Sequence, residues 1–533
     1  MKKINVGKTV EKLYIWVVGT IAAVISLFLA MTSLLHTTFV ETITQPQAVD
    51  SILYRIRTGA ESVIYRNDNF IFNIISLAVI MLVVSVTLKF MQKCKLKYNI
   101  CFIVIWTIIL GTVWVMSSQS APTCDSKTVV SASMSFAHGD LSFLANGRYL
   151  KDYSYQLGYV LFNEVIIRFV ELFMTIKNFL FLEILNVIFL AVINVFVILI
   201  NNEIFDDSRV NNATTLIVAA SVAPIISCTF VYGIIPGMMF AVVALYFEIK
   251  YIKTDKKLFA LISLFMVSIA VVVKPNYSIW VIAMAIICFV AMVKKKKYIL
   301  NIAFILLIAV MPMLSQRAVK SFYEYRCGVK LGDAIPYSSW ISMGLQENGM
   351  APGWFSVTPT VDNFKNSGYN ADKASEVSKN EIKQRVNYFI YNQRYASDFF
   401  YYKAVSQWNE TTYESLWNNT VRDQYRPKGR IAAFFCYRGE RITKLYMDCV
   451  AQYIFVMFFV GIVLTLKKKR YESLTFPLII IGGFAYHMLS EGKSQYILPY
   501  FILMTAFAAY GAVAVNEKYI NGHILFRNKK SKV

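Results

Sequence analysis

The sequence predicts an all-α polytopic membrane protein, and three observations carry that class. Hydrophobic residues make up 57% of the 533 residues, with a mean hydropathy of +0.50. Apolar runs long enough to span a bilayer recur along the whole chain, and lysines and arginines collect in short clusters between them. The 54 Lys and Arg against 32 Asp and Glu leave a net charge of +22. Divided among loops rather than gathered on one surface, that charge reads as a topology signal and not as a nucleic-acid footprint.

About twelve runs qualify as spans against a ~30 Å hydrocarbon core. Tyr14–Leu35 and Phe70–Phe90 open the chain, and Ile100–Met116 follows the basic cluster Lys93, Lys95 and Lys97. Phe179–Ile200 and Thr214–Val231 flank the polar stretch Asn201–Asn212. Four shorter runs follow, Met238–Ile249, Leu258–Val273, Ile279–Val293 and Ile299–Leu314, then Ile454–Leu466, Phe476–Leu489 and Tyr496–Val515. Short spans tilt little or sit among neighbours. The expected layout is a two-span extension (1–98), a membrane core (99–314) with an outer loop at 118–178, an outer domain (315–449), C-terminal spans (450–516) and a basic cytoplasmic tail (517–533).

The positive-inside rule places the clusters at Lys2, Lys3, Lys8 and Lys12, at Lys93–Lys97, at Lys253–Lys257, at Lys294–Lys297, at Lys467–Arg470 and at Arg527–Lys532 in the cytoplasm, with both termini. Outside fall the stretch from Pro122, the turn "YGIIPG" from Tyr232, "KPN" from Lys274, "EGKSQ" from Glu491, and the segment from Ser315 to Cys449. Gln156–Phe173 is apolar but carries Asn163, Glu164, Arg168 and Glu171. A crossing there would put Lys294–Lys297 outside, so the segment reads as an amphipathic helix on the outer interface. The outer segment is too long to lack structure of its own, and the apolar spacing from Ala374 to Phe400 predicts a small, mainly helical domain.

Signatures of soluble enzymes are missing: there is no P-loop, dinucleotide glycine fingerprint, HExxH or GxSxG. No cysteine pair has zinc-ligand spacing. Outer disulfides joining Cys327 to Cys436 or Cys449 stand beside free buried thiols as alternatives, with Cys124 also outside. What remains is charge at the outer edge of the membrane, where ionisable groups mark sites more often than packing. Asp125, Asp140, Lys274, Glu491 and Lys493 come from three connections and share that edge. A carboxylate that takes a proton from an acceptor hydroxyl, beside cations that hold a departing phosphate, suits sugar transfer from a lipid phosphate.

Each candidate has a plainer reading. Asp125 also suits a helix N-cap before Ser126, and Asp140 and His138 suit a turn. Lys274 could snorkel, Glu491 and Lys493 could pair locally, and Arg148 with Tyr149 could meet a lipid headgroup. Trp340, Trp354, Trp408 and Trp417 could stack on sugars or form core. A flippase would place charges at the midplane of two internal halves, a pattern this chain lacks. A polymerase using a lipid diphosphate donor stays open.

The outer aspartate after an early span, "AHGDLSFLANGRYLKDYSYQLGYVLFNEVIIRF", the "YG" turn, "KPN" and "EGKSQYILPYFILMTAFAAYG" together resemble the GT-C class of membrane glycosyltransferases. "IPYSSWISMGLQENGMAPGW" and "KAVSQWNETTYESLW" are similar to uncharacterised members from Gram-positive bacteria. The resemblance runs from about Ile100 onward and implies a GT-C-like core in a bacterial plasma membrane. It also implies a polyprenyl-phosphate sugar donor, usually undecaprenyl phosphate, an acceptor among cell-envelope glycans or glycolipids, and inverting displacement on the outer face. On it, Asp125 is the base or orients the acceptor; from their own positions in the sequence, Asp140 and His138 are candidates to support the acceptor, Lys274, Lys493 and Arg148 to hold phosphate, and Glu491, Tyr496 and Tyr232 to touch substrate. Many relatives have Arg-Tyr where this chain has Gln495-Tyr496, with Lys493 the nearest cation, and an acidic residue where it has Ser126. A metal therefore has less support here, and a divalent cation is the one cofactor left open.

Overall fold

A computed structural model describes residues 6–42, 61–176, 178–347, 349–421 and 428–517. The expected cytoplasmic lysines Lys2 and Lys3 and the tail cluster from Arg527 lie outside the described residues. The chain is an all-α polytopic membrane protein in its main body. Helices α1 (Val6–Leu35), α2 (Phe70–Phe90) and α3 (Leu96–Ser118) are followed by two shorter helices, α4 (Cys124–Ala137) and α5 (Leu157–Glu171). Then come α6 (Leu180–Phe205), α7 (Ser208–Ala220), α8 (Ile234–Thr254), α9 (Lys257–Val273), α10 (Ser278–Lys295) and α11 (Ile299–Cys327). Helices α12 (Tyr337–Gly344), α13 (Ala371–Tyr391), α14 (Gln393–Trp408) and α15 (Ser415–Val421) occupy the intervening segment. Helices α16 (Glu440–Lys468), α17 (Thr475–Leu489) and α18 (Leu498–Val515) close the bundle.

Among the described residues, ten helices are long and apolar enough to cross a membrane, and α7 with Ala223–Thr229, bent by 51°, makes eleven. The run from Leu258 forms α9, a shorter apolar helix of 17 residues, ~26 Å long, which leads from the basic end at Lys253–Lys257 to Lys274 at the other, so the eleven candidates and this helix stand against the expected twelve runs. A departure is a β-hairpin, β1 (His36–Thr42) paired antiparallel with β2 (Glu61–Asn67), His36 opposite Asn67. Its threonines, valines and aromatics suit a pleated surface, a short-range signal that the neighbouring spans overshadow. The hairpin docks on the turn after α14, where the Thr38 amide donates to the Asn409 carbonyl (3.1 Å).

Burial orders the bundle. In α18, 89% of the apolar window is buried, against 22% in α2 and in α11, so the last helix is central and those two are peripheral. Helix α18 packs on α16, which packs on α1, while α3 pairs with α6 and α8 with α9. The basic clusters gather at one end, where Lys253 meets Glu203, Lys294 meets Glu11 and Lys297 meets Asp255. The turns that follow α3 and α9, precede α8 and link α17 to α18 lie at the other.

Helix α5 shows why its charges need not cross a bilayer. Glu164, 3% exposed, accepts from Arg326 (2.8 Å), Arg168 (3.1 Å) and the Tyr323 hydroxyl (2.6 Å). Both arginines also donate to the Phe136 carbonyl at the end of α4, so the cluster ties α4, α5 and α11 together. Val165, Phe169, Leu172 and Phe173 stay exposed on α5 and after it. Cys327 carries a free thiol, so neither proposed disulfide, to Cys436 or to Cys449, forms.

The crossing of α16 and α18 relies on missing side chains. A β-carbon on Gly511 would overlap the Met457 carbonyl oxygen, and Gly461 faces the Phe507 ring beside it. Gly511→Val should lower the detergent melting temperature, since overpacking costs about 1–3 kcal/mol. An unchanged melting curve would show that the two helices can part at no penalty.

Candidate functional site

Asp125 reaches its position through a sharp entry into α4. Cys124 has a φ of +48°, the left-handed region that a residue with a β-carbon seldom adopts, and the helix starts there. Asp125 stands in the first turn, where the helix dipole favours a carboxylate, and it is exposed. It is not the N-cap, which is Thr123. The next residue, Ser126, is buried and donates to the Val231 carbonyl (2.6 Å). A carboxylate could not make that bond, so the serine fastens α4 to the "YG" turn. Gly233, at φ +83°, has the Val273 carbonyl and Tyr159 ring where a β-carbon would go. That turn brings the Tyr232 hydroxyl to Asp125 Oδ2, to which it donates (3.2 Å) while accepting from Gln156 Nε2 (2.7 Å).

Lys274 arrives from the end of α9, because Pro275 disfavours helical geometry in the residue before it and Lys274 is extended. Its amine, in a residue only 6% exposed, lies 3.9 Å from the Tyr232 ring centroid and 5.5 Å from that of Tyr496. Burial lowers its pKa to about 8, against the opposing fields of Glu491 and Asp125. Glu491 is pushed up to about 6 by burial, with Lys493 and Lys274 pulling it down and Asp125 adding to the rise. Five of the predicted residues, Asp125, Tyr232, Lys274, Glu491 and Lys493, thus share one field, with Tyr496 beside Lys274.

The loop between α17 and α18 is held from the segment before α16. The Gly492 amide donates to the Gly353 carbonyl (2.8 Å). Lys403 of α14, fully buried, donates to the carbonyls of Gly344 and Ser490, the latter at 2.7 Å. Its pKa falls to about 7 through burial, with Glu491 opposing. The Ser494 hydroxyl meets the buried carboxylates of Glu410 (3.0 Å) and Glu414 (3.3 Å). Lys493 stands over Trp354 at 5.2 Å and Trp417 at 6.0 Å while its charge acts on Glu491.

An aromatic wall completes the centre. Tyr149 and Tyr153 meet at a tilt with ring centroids 4.8 Å apart, and Tyr153 and Tyr155 meet Trp340 of α12 at 6.0 and 6.3 Å. Burial, with the field of Asp125 adding to it, raises the pKa of Tyr149 and Tyr153, so both hydroxyls remain protonated donors. Trp354 and Trp408 are wholly buried core residues.

Asp140 and His138 are not brought to this centre. They follow the far end of α4, ~20 Å along the helix from Asp125. Asp140 accepts from the Ser142 amide (2.9 Å) and hydroxyl (3.0 Å), which lowers its pKa, and His138 pairs with Glu171 (3.1 Å). Arg148 pairs with Asp152 (2.6 Å) and lies 3.5 Å from the Tyr369 ring centroid. Sequence reasoning missed Tyr153, Tyr155, Lys403, Glu410 and Glu414. The alternating aromatics of "YLKDYSYQ" were the one available signal, whereas a buried lysine in a polar helix leaves none.

Chemically, the centre offers an exposed carboxylate, a buried amine and phenolic donors around shared space. Among the described residues no three His, Cys, Asp or Glu side chains gather as metal ligands. No family model and no curated protein matches the chain. Among solved structures, the archaeal oligosaccharyltransferase AglB from Archaeoglobus fulgidus, in complex with an inhibitory peptide and a dolichol-phosphate, aligns at 12% identity and a TM-score of 0.39. The alignment covers 81% of this chain and 53% of that one, so the chain spans about half the length of the structure it matches.

The Lys403 contacts carry a prediction. Lys403→Met leaves two buried carbonyls without their donor, at about 1–3 kcal/mol each. Amide hydrogen exchange over residues 490–496 should accelerate while α18 stays protected. Equal exchange in both proteins would mean that the amine does not hold the loop.

Proposed function

We propose that the protein is an integral membrane glycosyltransferase that moves a sugar from a polyprenyl-phosphate donor to a cell-envelope glycan or glycolipid. The observation that carries this reading is the pairing of Asp125 and Lys274 across one tyrosine, 3.2 Å from its hydroxyl and 3.9 Å from its ring centroid. A proton acceptor and a buried cation then adjoin the same tyrosine. The sequence resemblance to GT-C enzymes and the position of the centre at the end of the bundle opposite the basic clusters support it. That end is assigned to the outer face of a bacterial plasma membrane, with both termini cytoplasmic.

In this mechanism the acceptor hydroxyl oxygen attacks the anomeric carbon in line with the bond to phosphate. Asp125 takes the hydroxyl proton as the new carbon–oxygen bond forms. The bond between the anomeric carbon and the phosphate oxygen breaks, and its electron pair leaves with the polyprenyl phosphate, inverting the centre. The Lys274 ammonium faces the charge that grows on that oxygen, in a site where little water screens it. Tyr232 holds the Asp125 carboxylate, and Glu491 keeps Lys274 protonated by its field.

Asp125→Asn should insert normally and lose transfer from undecaprenyl-phosphate sugar by ~10²–10⁴-fold. Undiminished transfer in washed membranes would sink the assignment. Release of lipid diphosphate in place of monophosphate would instead identify a polymerase.

Activity should also follow pH through the paired groups. Glu491 is ionised above about 6 and Lys274 is protonated below about 8. The profile of kcat/KM should therefore be bell-shaped between those values. Lys274→Arg should move the alkaline limb upward, because guanidinium stays protonated. An alkaline limb that does not respond to this change would separate Lys274 from the rate.

A further inference from the structure

The segment between α11 and α16 forms a half-open cavity of about 920 Å³. That volume sits at the upper end of the usual ~300–1,000 Å³ of small-molecule sites, room for more than one sugar ring. Its walls include Glu347, Phe355, Glu381, Gln384, Arg385 and Tyr388. Glu381 accepts from the Ser342 hydroxyl (2.5 Å) at one oxygen and the Asn363 amide (2.7 Å) at the other, which fixes its plane. Each oxygen keeps a second lone pair directed elsewhere. Arg385 is stacked among Tyr388, Phe389, Tyr395 and Phe399 at 4.7–5.4 Å and donates to the Leu345 carbonyl (2.6 Å).

This lining selects a chemistry. Arg385 is the one cation among the described lining residues and is engaged by the Leu345 carbonyl and the Tyr395 hydroxyl, while two carboxylates line the same space: Glu381, held by Ser342 and Asn363, and Glu347, which accepts from Tyr395. A phosphate would meet the charge of those carboxylates, and a lipid chain would leave their remaining lone pairs facing hydrocarbon. Carboxylates held in place beside aromatic faces suit adjacent hydroxyls and the C–H faces of a neutral sugar.

The cavity is also coupled to the reacting centre. Helix α12 separates them, with Ser342 on Glu381 and Trp340 on Tyr153 and Tyr155. The gap is therefore one helix diameter, about 10–12 Å. The Gly353 amide donates to the Gln346 carbonyl (2.8 Å), and the Gly353 carbonyl accepts from Gly492 in the Glu491 loop (2.8 Å).

We propose that this cavity binds an uncharged stretch of the acceptor glycan, a few sugar units from the hydroxyl that reacts at Asp125. The acceptor role rests on the transferase reading above, while the cavity's affinity for neutral sugar does not depend on turnover. The acceptor is then an oligosaccharide or polymer and not a lone lipid headgroup.

The test uses full-length protein in detergent, with maltohexaose, cellotetraose and tetra-N-acetylchitotetraose as neutral probes and a Gly/Ser decapeptide as the peptide probe. Saturation-transfer NMR should detect at least one sugar, bound equally by the wild type and Asp125→Asn. The double variant Gln384→Ala/Tyr388→Ala should weaken that binding by about tenfold or more and raise KM for the acceptor glycan. Absence of binding by all three sugars, binding that the double variant leaves unchanged, or displacement of the sugar by the decapeptide overturns the proposal. Transfer that survives in Asp125→Asn would remove the catalytic reading, and the sugar-binding measurement still judges the cavity.

Discussion

Burial of the Lys274 amine is the constraint on which the polar end of the bundle depends. An ammonium taken out of water costs several kcal/mol unless its surroundings restore the lost solvation. Here the faces of Tyr232 and Tyr496 and the carboxylates of Asp125 and Glu491 do so. These groups come from separate connections, so four helix ends must finish at one level for the charge to be tolerated. The small devices nearby serve that requirement: Pro275 stops α9, Gly233 lets the "YG" turn approach its backbone, and Ser126 ties α4 to that turn.

The segment before α16 acts on the same centre from the opposite side. Lys403 satisfies two carbonyls that no other described hydrogen bond reaches from α14, one of them next to Glu491. Glu410 and Glu414 share the Ser494 hydroxyl, and Gly353 pairs with Gly492. The loop carrying Glu491 and Lys493 is therefore shaped as much by this segment as by the spans it joins. Any rearrangement there would alter the field on Lys274 without touching Lys274 itself.

The spans are legible because hydropathy is a local property: each run declares its own preference for lipid, and basic clusters mark which ends lie together. The break at Ser221 and the shortness of α9 are not, since they depend on how neighbours bury a marginal helix. Asp125, Tyr232, Lys274 and Glu491 are readable as a set because polar groups at the ends of apolar runs are few. Sequence proximity groups Asp140 and His138 with them, and the length of α4 is what parts them. The charges of α5 look like a topology problem, yet the buried Glu164 is paired with Arg168 and with a partner, Arg326, that lies far along the chain, and Glu171 pairs with His138.

The sequence by itself determined the class of molecule, the approximate spans and which ends carry ionisable groups, because transfer free energy is additive along a run. Tertiary structure alone decided which of those groups share a field, that Lys403 and the tyrosines of "YLKDYSYQ" join them, and that a cavity lined by Glu347, Glu381 and Arg385 lies one helix away. Contacts of that kind depend on distances between segments remote in the chain. No local hydropathy or spacing encodes them, and burial, which sets the pKa values of Lys274 and Glu491, exists only once the segments have packed.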